Sequence, residues 1–410
     1  MRSLRWAVAS VALAMAVPSG AQPSAALHSG GGALPIAADD LSPAQRAAIE
    51  ARLAIARAAL AARAPSALAD VLPLELAFSW PLRVRDGYPQ PGYHGTSNFV
   101  DHEAAFPDQL LDWNCGARTY DRPNGYNHSG TDFFLWPFPW TKMFDGEVEV
   151  VAAAAGVILS KDDGYFDGSC SFNDEPWNAV YVLHVDGTVA WYGHLKRDST
   201  TGKGVGEPVE VGERLGLVGS SGSSTAPHLH FEVHDALGQI LDPFAGDCHS
   251  GSSLWSAQPP YYDSALNQVS THDSVPETDG VCNRPEETHL RDDFLPGETV
   301  YCATFYRDQL AGQLAQHVVR RPDGTVFAAW DSNSSVPHYA SSWWYQSVAL
   351  PSDAMPGVWT FEVGFEGQQQ SHLFTVAPEP SAAAAPIAAM MPLAGLSARR
   401  RRGSRGRRAR

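Results

Sequence analysis

Apolar and polar positions change their period along this chain, and the changes divide it. A mostly apolar run, residues 6–17, follows Arg2 and Arg5. Ser42-Pro43 then opens a stretch to about Arg63 in which Ile49, Leu53, Ala56 and Leu60 recur at helical spacing. That pattern predicts a short amphipathic helix capped by Ser42. Residues 74–80 alternate as a strand would, and strand periods dominate from Gly146 to Val233. Within them, residues 180–185 and 188–192 flank Asp186-Gly187, a dipeptide favoured in two-residue hairpin turns. A Ser-, Pro- and Asp-rich stretch, 249–280, reads as a linker. Beyond it lie strand-like runs at 300–306, 314–320, 326–330, 342–350, 358–365 and 372–376. Short strands separated by Pro-Asp-Gly and Pro-Gly turns suggest an immunoglobulin-like β-sandwich over 281–376. The fold class expected is therefore mainly β: an antiparallel β-sheet domain, a C-terminal sandwich and a short N-terminal helical region.

Composition sharpens this division. A length of 410 residues exceeds what one hydrophobic core usually holds. The two termini hold ten of the 29 basic residues, leaving 19 against all 45 acidic ones in residues 22–398. So acidic a body disfavours nucleic acid as a partner. Residues 1–21 have the order of a secretory signal: basic start, apolar run, then Ser19-Gly20-Ala21. Export implies an oxidising compartment, where cysteines tend to pair. Cys115, Cys170, Cys248, Cys282 and Cys302 are odd in number, so one is left over. Keeping each bridge inside one expected domain favours Cys115–Cys170 and Cys282–Cys302. At the other end, residues 377–410 run Pro378-Glu379-Pro380, an apolar segment, then Arg399 to Arg402. This is the order of a membrane stop element, and it resembles bacterial C-terminal sorting signals. Membrane anchoring or sorting through this tail is expected.

The chemistry gathers between His128 and Asp242. His128 and Asp132 stand four residues apart, and His194 follows the strand that ends in Tyr192-Gly193. In the strand 227–234, His228, His230, Glu232 and His234 share one face, while Leu229, Phe231 and Val233 point to a core. Imidazoles and a carboxylate on one polar face suit zinc, whose catalytic sites take three protein ligands and keep one position for water. Glu232 is expected to orient a ligand or a strand neighbour. His234 lies about 13 Å along the strand from His230 and is expected to be structural. The acidic stretch 160–177 lacks the ligand spacing of a calcium loop. The aromatic run Phe133 to Trp140 is expected to be partly core and partly a wall of a substrate groove.

These motifs occur in an order that resembles the lysostaphin/LytM family of zinc peptidases, its β-lytic branch in particular. The matching residues are His128 to Asp132, Tyr192-Gly193-His194-Leu195, Gly212, Gly216, Gly219, and Ser223 to Glu232 with its Pro-His-Leu-His-Phe-Glu end. The match covers 128–244, and Asp242-Pro243 falls where the family's domain ends. The resemblance implies one Zn2+ held by His128, Asp132 and His230, with His194 and His228 as an unligated catalytic pair. It further implies a secreted or envelope-located metalloendopeptidase acting on peptidoglycan cross-link peptides. Gly-rich proteins such as elastin are the alternative substrate, and a non-catalytic zinc-binding regulator of the cell wall is a second alternative. The domains expected are a signal peptide (1–21), a helical region or propeptide (22–75), the peptidase (76–248), the linker, the sandwich and the tail (377–410). A monomer is expected.

Overall fold

A computed structural model of the chain describes residues 29–33, 37–63, 76–88 and 92–378. The expected signal peptide and nearly all of the tail lie outside the described residues. Helix α1 spans Pro43–Arg63, as its pattern predicts. Its first turn is closed reciprocally: the Gln45 amide donates to Ser42 Oγ and the Ser42 amide to Gln45 Oε1. Leu53 is buried, and Ile49, Ala56 and Leu60 pack with it against Leu159, Tyr181 and Trp191. A second helix, α2, is short (Pro139–Asp145). Among the described residues no helix is long and apolar enough to cross a membrane.

Among the described residues all other regular structure of any length is β. In chain order the strands are β1 (Ser29–Ala33), β2 (Leu82–Val84), β3 (His94–Asn98), β4 (Thr131–Leu135), β5 (Val148–Val151), β6 (Gly156–Asp162) and β7 (Ala179–Leu183). Then come β8 (Val189–Gly193), β9 (Pro208–Val209), β10 (Arg214–Leu217), β11 (His228–His234), β12 (Ala265–His272) and β13 (Asp293–Phe294). The remainder are β14 (Thr299–Leu310), β15 (Leu314–Arg320), β16 (Val326–Asn333), β17 (His338–Ala349), β18 (Gly357–Phe365) and β19 (Gln368–Val376). A seven-stranded sheet in the order β3-β4-β11-β8-β7-β6-β9 is the base of the region that holds His128 to Asp242, with a small sheet β10-β5-β2 beside it. The C-terminal region is a sandwich of β1-β17-β14-β12 against β13-β19-β18-β15-β16.

Several expectations need correction. Of residues 74–80, those described form no strand, only an isolated bridge between Phe78 and Trp255. The segment 249–280 is not simply a linker, because β12 inside it is fully buried and pairs along β14. Its polar residues Asn267, Gln268, Ser270, Thr271 and His272 hide the strand from a hydrophobicity reading, yet Asn267 Nδ2 donates to the carbonyls of His94 and Trp136. The bridges are Cys115–Cys248 and Cys170–Cys282, with Cys302 buried and free. Both bridges join segments distant in sequence, and Cys302 sits in the sandwich core among Val300, Val348 and Trp359. The aromatic run 133–140 lies at the seam between the two regions. Phe134, Trp136 and Phe138 pack with Phe305 and Trp343 of the sandwich, and Trp136 Nε1 donates to the Tyr306 carbonyl. Arg118 and Asp308, both nearly inaccessible, add an ion pair of 3.0 Å across that seam.

Candidate functional site

Three neighbouring strands carry the site. In the β4–β11–β8 ladder Asp132 lies opposite His230, and His230 lies opposite Gly193. His194 follows β8 in the left-handed region, φ 59°, which turns its ring back over the sheet. His128 precedes β4 and returns to the same point. Gly130 between them is required by packing, since a Cβ there would stand 2.7 Å from the His230 ring. The sequence-predicted residues His128, Asp132, His194, His228 and His230 are all brought together and all buried.

They fall into two sets. In the first, His128 Nε2 lies 3.1 Å from Asp132 Oδ2, and His230 Nδ1 lies 3.1 Å from Asp132 Oδ1. Zinc bonds of about 2.0–2.1 Å would place tetrahedral neighbours roughly 3.3 Å apart, so this donor set is spaced for the metal. His128 Nδ1 donates to the Phe99 carbonyl at 2.7 Å, which leaves Nε2 with its lone pair. That Nε2 has no hydrogen-bond partner among the described residues. His230 Nε2 is held by Glu232 Oε2 at 3.0 Å, leaving Nδ1 aimed at the cluster. Such outer partners fix a ligand's tautomer and orientation. These residues could hold a metal ion, and they fit zinc.

The second set is His194 and His228, whose ring centroids are 4.5 Å apart. Each is anchored through Nδ1, to the carbonyl of Ser221 at 2.6 Å and of Ala226 at 2.8 Å. Each Nε2 is thereby turned to the centre, and that of His228 has no hydrogen-bond partner among the described residues. Trp177 stands edge-on to His194 at 5.0 Å and covers this side.

A carboxylate absent from the sequence reading sits in the middle. Asp39 is fully buried, with Oδ2 at 2.6 Å from His230 Nδ1, 3.0 Å from His194 Nε2 and 4.0 Å from His228 Nε2. The hydroxyls of Tyr120 and Tyr126 donate to its Oδ1 at 2.6 and 2.7 Å. Asp39, His128, Asp132 and His230 together offer four atoms within 4.8 Å of one another. Asp39-Asp40 is the first acidic pair of the chain and precedes a capped helix, a signal too local to reveal its partners. Sequence reasoning also missed Tyr120, Tyr126, Asn98, whose Nδ2 donates to Asp132 Oδ2 at 3.0 Å, and Arg46.

Ionisation follows from these contacts. Burial alone would raise the Asp39 carboxyl, but the His230 charge and three imidazole contacts hold it well below the ordinary carboxylate value. Asp132 is likewise lowered against burial, chiefly by His128. Burial would lower His230, yet Asp39 and its hydrogen bonds raise it well above 6.5. His194 shifts the other way, lowered by burial and by the neighbouring His228. On the polar face of β11, His230 and His234 are thus shifted up and Glu232 down although all three are buried. Beyond the cluster, Arg46 of α1 pairs with Glu232 at 2.5 Å and donates to Ser129, while His234 Nε2 meets Glu232 Oε1 at 2.5 Å. Glu232 thus orients His230 and holds α1, and His234 supports Glu232 from outside the cluster.

Comparison with known proteins agrees with this geometry. The sequence profile of peptidase family M23 matches residues 127–243. The chain is 33% identical over 110 residues to glycyl-glycine endopeptidase ALE-1 of Staphylococcus capitis, covering 27% of this chain and 25% of that one. Lysostaphin of Staphylococcus simulans is 32% identical, with coverages of 27% and 18%. The cell division protein DipM of Caulobacter vibrioides is 44% identical over 120 residues, with coverages of 26% and 19%. The matches thus span a quarter or less of these relatives' own length. A solved M23 peptidase of Pseudomonas aeruginosa aligns over 50% of this chain and 60% of its own at 20% identity and a TM-score of 0.23. The motifs, their order and the profile agree that residues 127–243 are a peptidase family M23 domain of the lysostaphin/LytM kind.

Proposed function

We propose that the chain is a zinc metalloendopeptidase of the bacterial envelope that hydrolyses cross-link peptides of peptidoglycan. The observation that carries this reading is the convergence of two carbonyl-anchored imidazoles, His194 and His228, on a buried His128–Asp132–His230 donor set. Zinc held by those three would act as a Lewis acid on the scissile carbonyl and lower the pKa of water toward about 7. The rest of the chemistry belongs to the chain. With Nδ1–H held by a backbone carbonyl, a neutral His194 or His228 offers Nε2 as a base to water. Once protonated, the same nitrogen can donate to the leaving amine or to the developing oxyanion. The carbonyls of Ser221 and Ala226 hold His194 and His228 in that tautomer, while Phe99 and Glu232 orient His128 and His230.

Peptidoglycan is favoured as substrate because the family profile covers the segment that holds these residues and a relative from Vibrio cholerae is named a peptidoglycan DD-endopeptidase. Export is supported by the order of residues 1–21 and by two disulfides. Retention at the envelope through residues 377–410 rests on their apolar-then-basic order. Mass spectrometry of the fragments released from purified peptidoglycan tests the reading. New amine and carboxyl termini within cross-link peptides are expected, and cross-links left intact would overturn it.

A further inference from the structure

A second group of ligating side chains lies outside the cluster described above and shares no residue with it. His102, Asp242 and His249 each offer one atom, and the three atoms lie within 4.8 Å of one another. The fold brings them from three places: the loop after β3, the segment after β11, and the turn that follows it. In the sequence, Asp242 marked only the end of the family motifs, and His102 and His249 carried no signal at all.

Two of the three side chains are set by a local contact that leaves one atom for the group. Asp242 is buried, and its Oδ1 accepts from the Phe244 amide at 2.9 Å, while Oδ2 stands 2.8 Å from His102 Nε2. His249 Nδ1 donates to the Phe244 carbonyl, so Nε2 keeps its lone pair. The two imidazole centroids are 4.9 Å apart, with 32° between the ring planes. Imidazoles on one tetrahedral zinc, with bonds of about 2.0–2.1 Å, place their centroids about 5 Å apart. A hydrogen bond between His102 and Asp242 needs no third member, yet the His249 ring is held beside it at ligand spacing. The backbone around both imidazoles is fixed. The His102 amide donates to the Leu111 carbonyl at 2.7 Å, and Gly246 and His249 exchange backbone bonds of 3.0 and 3.2 Å. Cys248, next to His249, is bridged to Cys115, and its amide donates to the Trp113 carbonyl at 3.0 Å.

We propose that His102, Asp242 and His249 form a second metal site, for a divalent transition ion of the zinc class, which clips the end of the peptidase region to the loop after β3. Two imidazoles and one carboxylate suit such an ion, whereas Ca2+ wants about six to eight oxygen ligands. Both rings are half-buried, so water completes the coordination. The ion spreads the His102–Asp242 pair by roughly 0.5 Å to reach tetrahedral spacing, and that pair closes again when the ion leaves. The site therefore exchanges under dialysis. What it steadies is the segment that orients His128. The Phe99 carbonyl accepts from His128 Nδ1, and the Asp101 amide donates to the His128 carbonyl at 2.7 Å, just ahead of His102.

The test titrates the full, untagged and dialysed chain with Zn2+ in a calorimeter, beside His102→Gln, His249→Gln and Asp242→Asn chains. The parent is expected to take up one equivalent more than either Gln chain. Asp242→Asn keeps an oxygen for the Phe244 amide but loses the charge, and its added ion should bind about tenfold or more weakly. The thermal midpoint of the parent should rise on adding Zn2+, with that rise lost in both Gln chains, because the ion stabilises only the state that assembles the site. The control is His289→Ala, which removes a half-exposed imidazole 3.7 Å from Asp273 and 3.9 Å from Glu287 and should keep the extra equivalent. Only the difference between chains is read, so occupancy of the His128 cluster does not enter. Equal uptake by the parent and both Gln chains would overturn the site, and so would loss of the same equivalent in His289→Ala.

Discussion

His230 and His317 are both buried histidines in β-strands, and they ionise in opposite directions. His230 has Asp39, Asp132 and Glu232 on its two ring nitrogens, and these carboxylates raise its pKa well above the ordinary value against burial. His317, in the sandwich, stacks on Trp330 at 5.0 Å with no ion-pair partner among the described residues, and burial pushes it down to about 4. Burial disfavours charge in both, so the partner decides. The peptidase sheet concentrates charge on one buried strand face and balances it with Arg46, whereas the sandwich fills its interior with rings. The first arrangement adds little net stability, because desolvation offsets most of the attraction between buried charges. It gains preorganised chemistry.

The comparison is broken most completely by removing a donor. His230→Ala, His128→Ala or Asp132→Ala is expected to abolish hydrolysis and to reduce zinc from about one per chain to near zero, measured by elemental analysis after dialysis. Full zinc and full turnover in His230→Ala would refute the assignment of donors. His194→Ala and His228→Ala are expected to retain zinc and lose about 10²- to 10⁴-fold in turnover. Zinc lost from either would move that imidazole into the donor set. Glu232→Gln sharpens the contrast one step further out. It removes the charge that fixes His230 and pairs Arg46, and zinc affinity should fall about 10- to 100-fold in a chelator competition. An unchanged affinity would reduce Glu232 to an anchor for α1.

Legibility in the sequence follows the same contrast. The sandwich strands β14 to β19 were readable because alternation and Pro-Asp-Gly turns act over a few residues. The helix α1 was readable from Ser42-Pro43 and its apolar spacing. The convergence of His128, Asp132, His194, His228 and His230 was readable because β-pleat periodicity and family motifs both act locally. What stayed hidden depends on distance. Asp39 meets His194 across 155 residues, the Cys115–Cys248 bridge spans 133, and β12 is buried through polar side chains whose partners lie on other elements. A strand whose Asn, Gln, Ser and Thr are satisfied by tertiary hydrogen bonds carries no hydrophobic signal, and so reads as a linker.

The smallest effect is expected where the sandwich histidine is replaced by a ring that cannot titrate. His317 Nδ1 is buried and has no hydrogen-bond partner among the described residues, Nε2 lies 3.4 Å from the Tyr306 hydroxyl, and the ring packs beside Trp330 and Phe361. His317→Phe keeps the stack and nearly the volume, so at pH 7 stability should change by less than about 1.5 kcal/mol. The sign of the pH effect follows from linkage. The unfolded chain binds a proton at His317 near pH 6.5, and the folded one does not until about 4. Stability is therefore fully present above 6.5, falls as pH drops toward about 4, and is flat below. The depth is on the order of 3 kcal/mol, since a tenfold loss of proton affinity on folding is worth about 1.4 kcal/mol. Hydrogen exchange of the β15 amides in the full chain, at several pH values between 7 and 4, reads this locally. The Phe chain should lose less protection across that window than the parent and overtake it near pH 4. Parallel curves would mean that His317 finds a way to take up its proton in the folded sandwich, and the contrast with His230 would then rest on geometry rather than on charge.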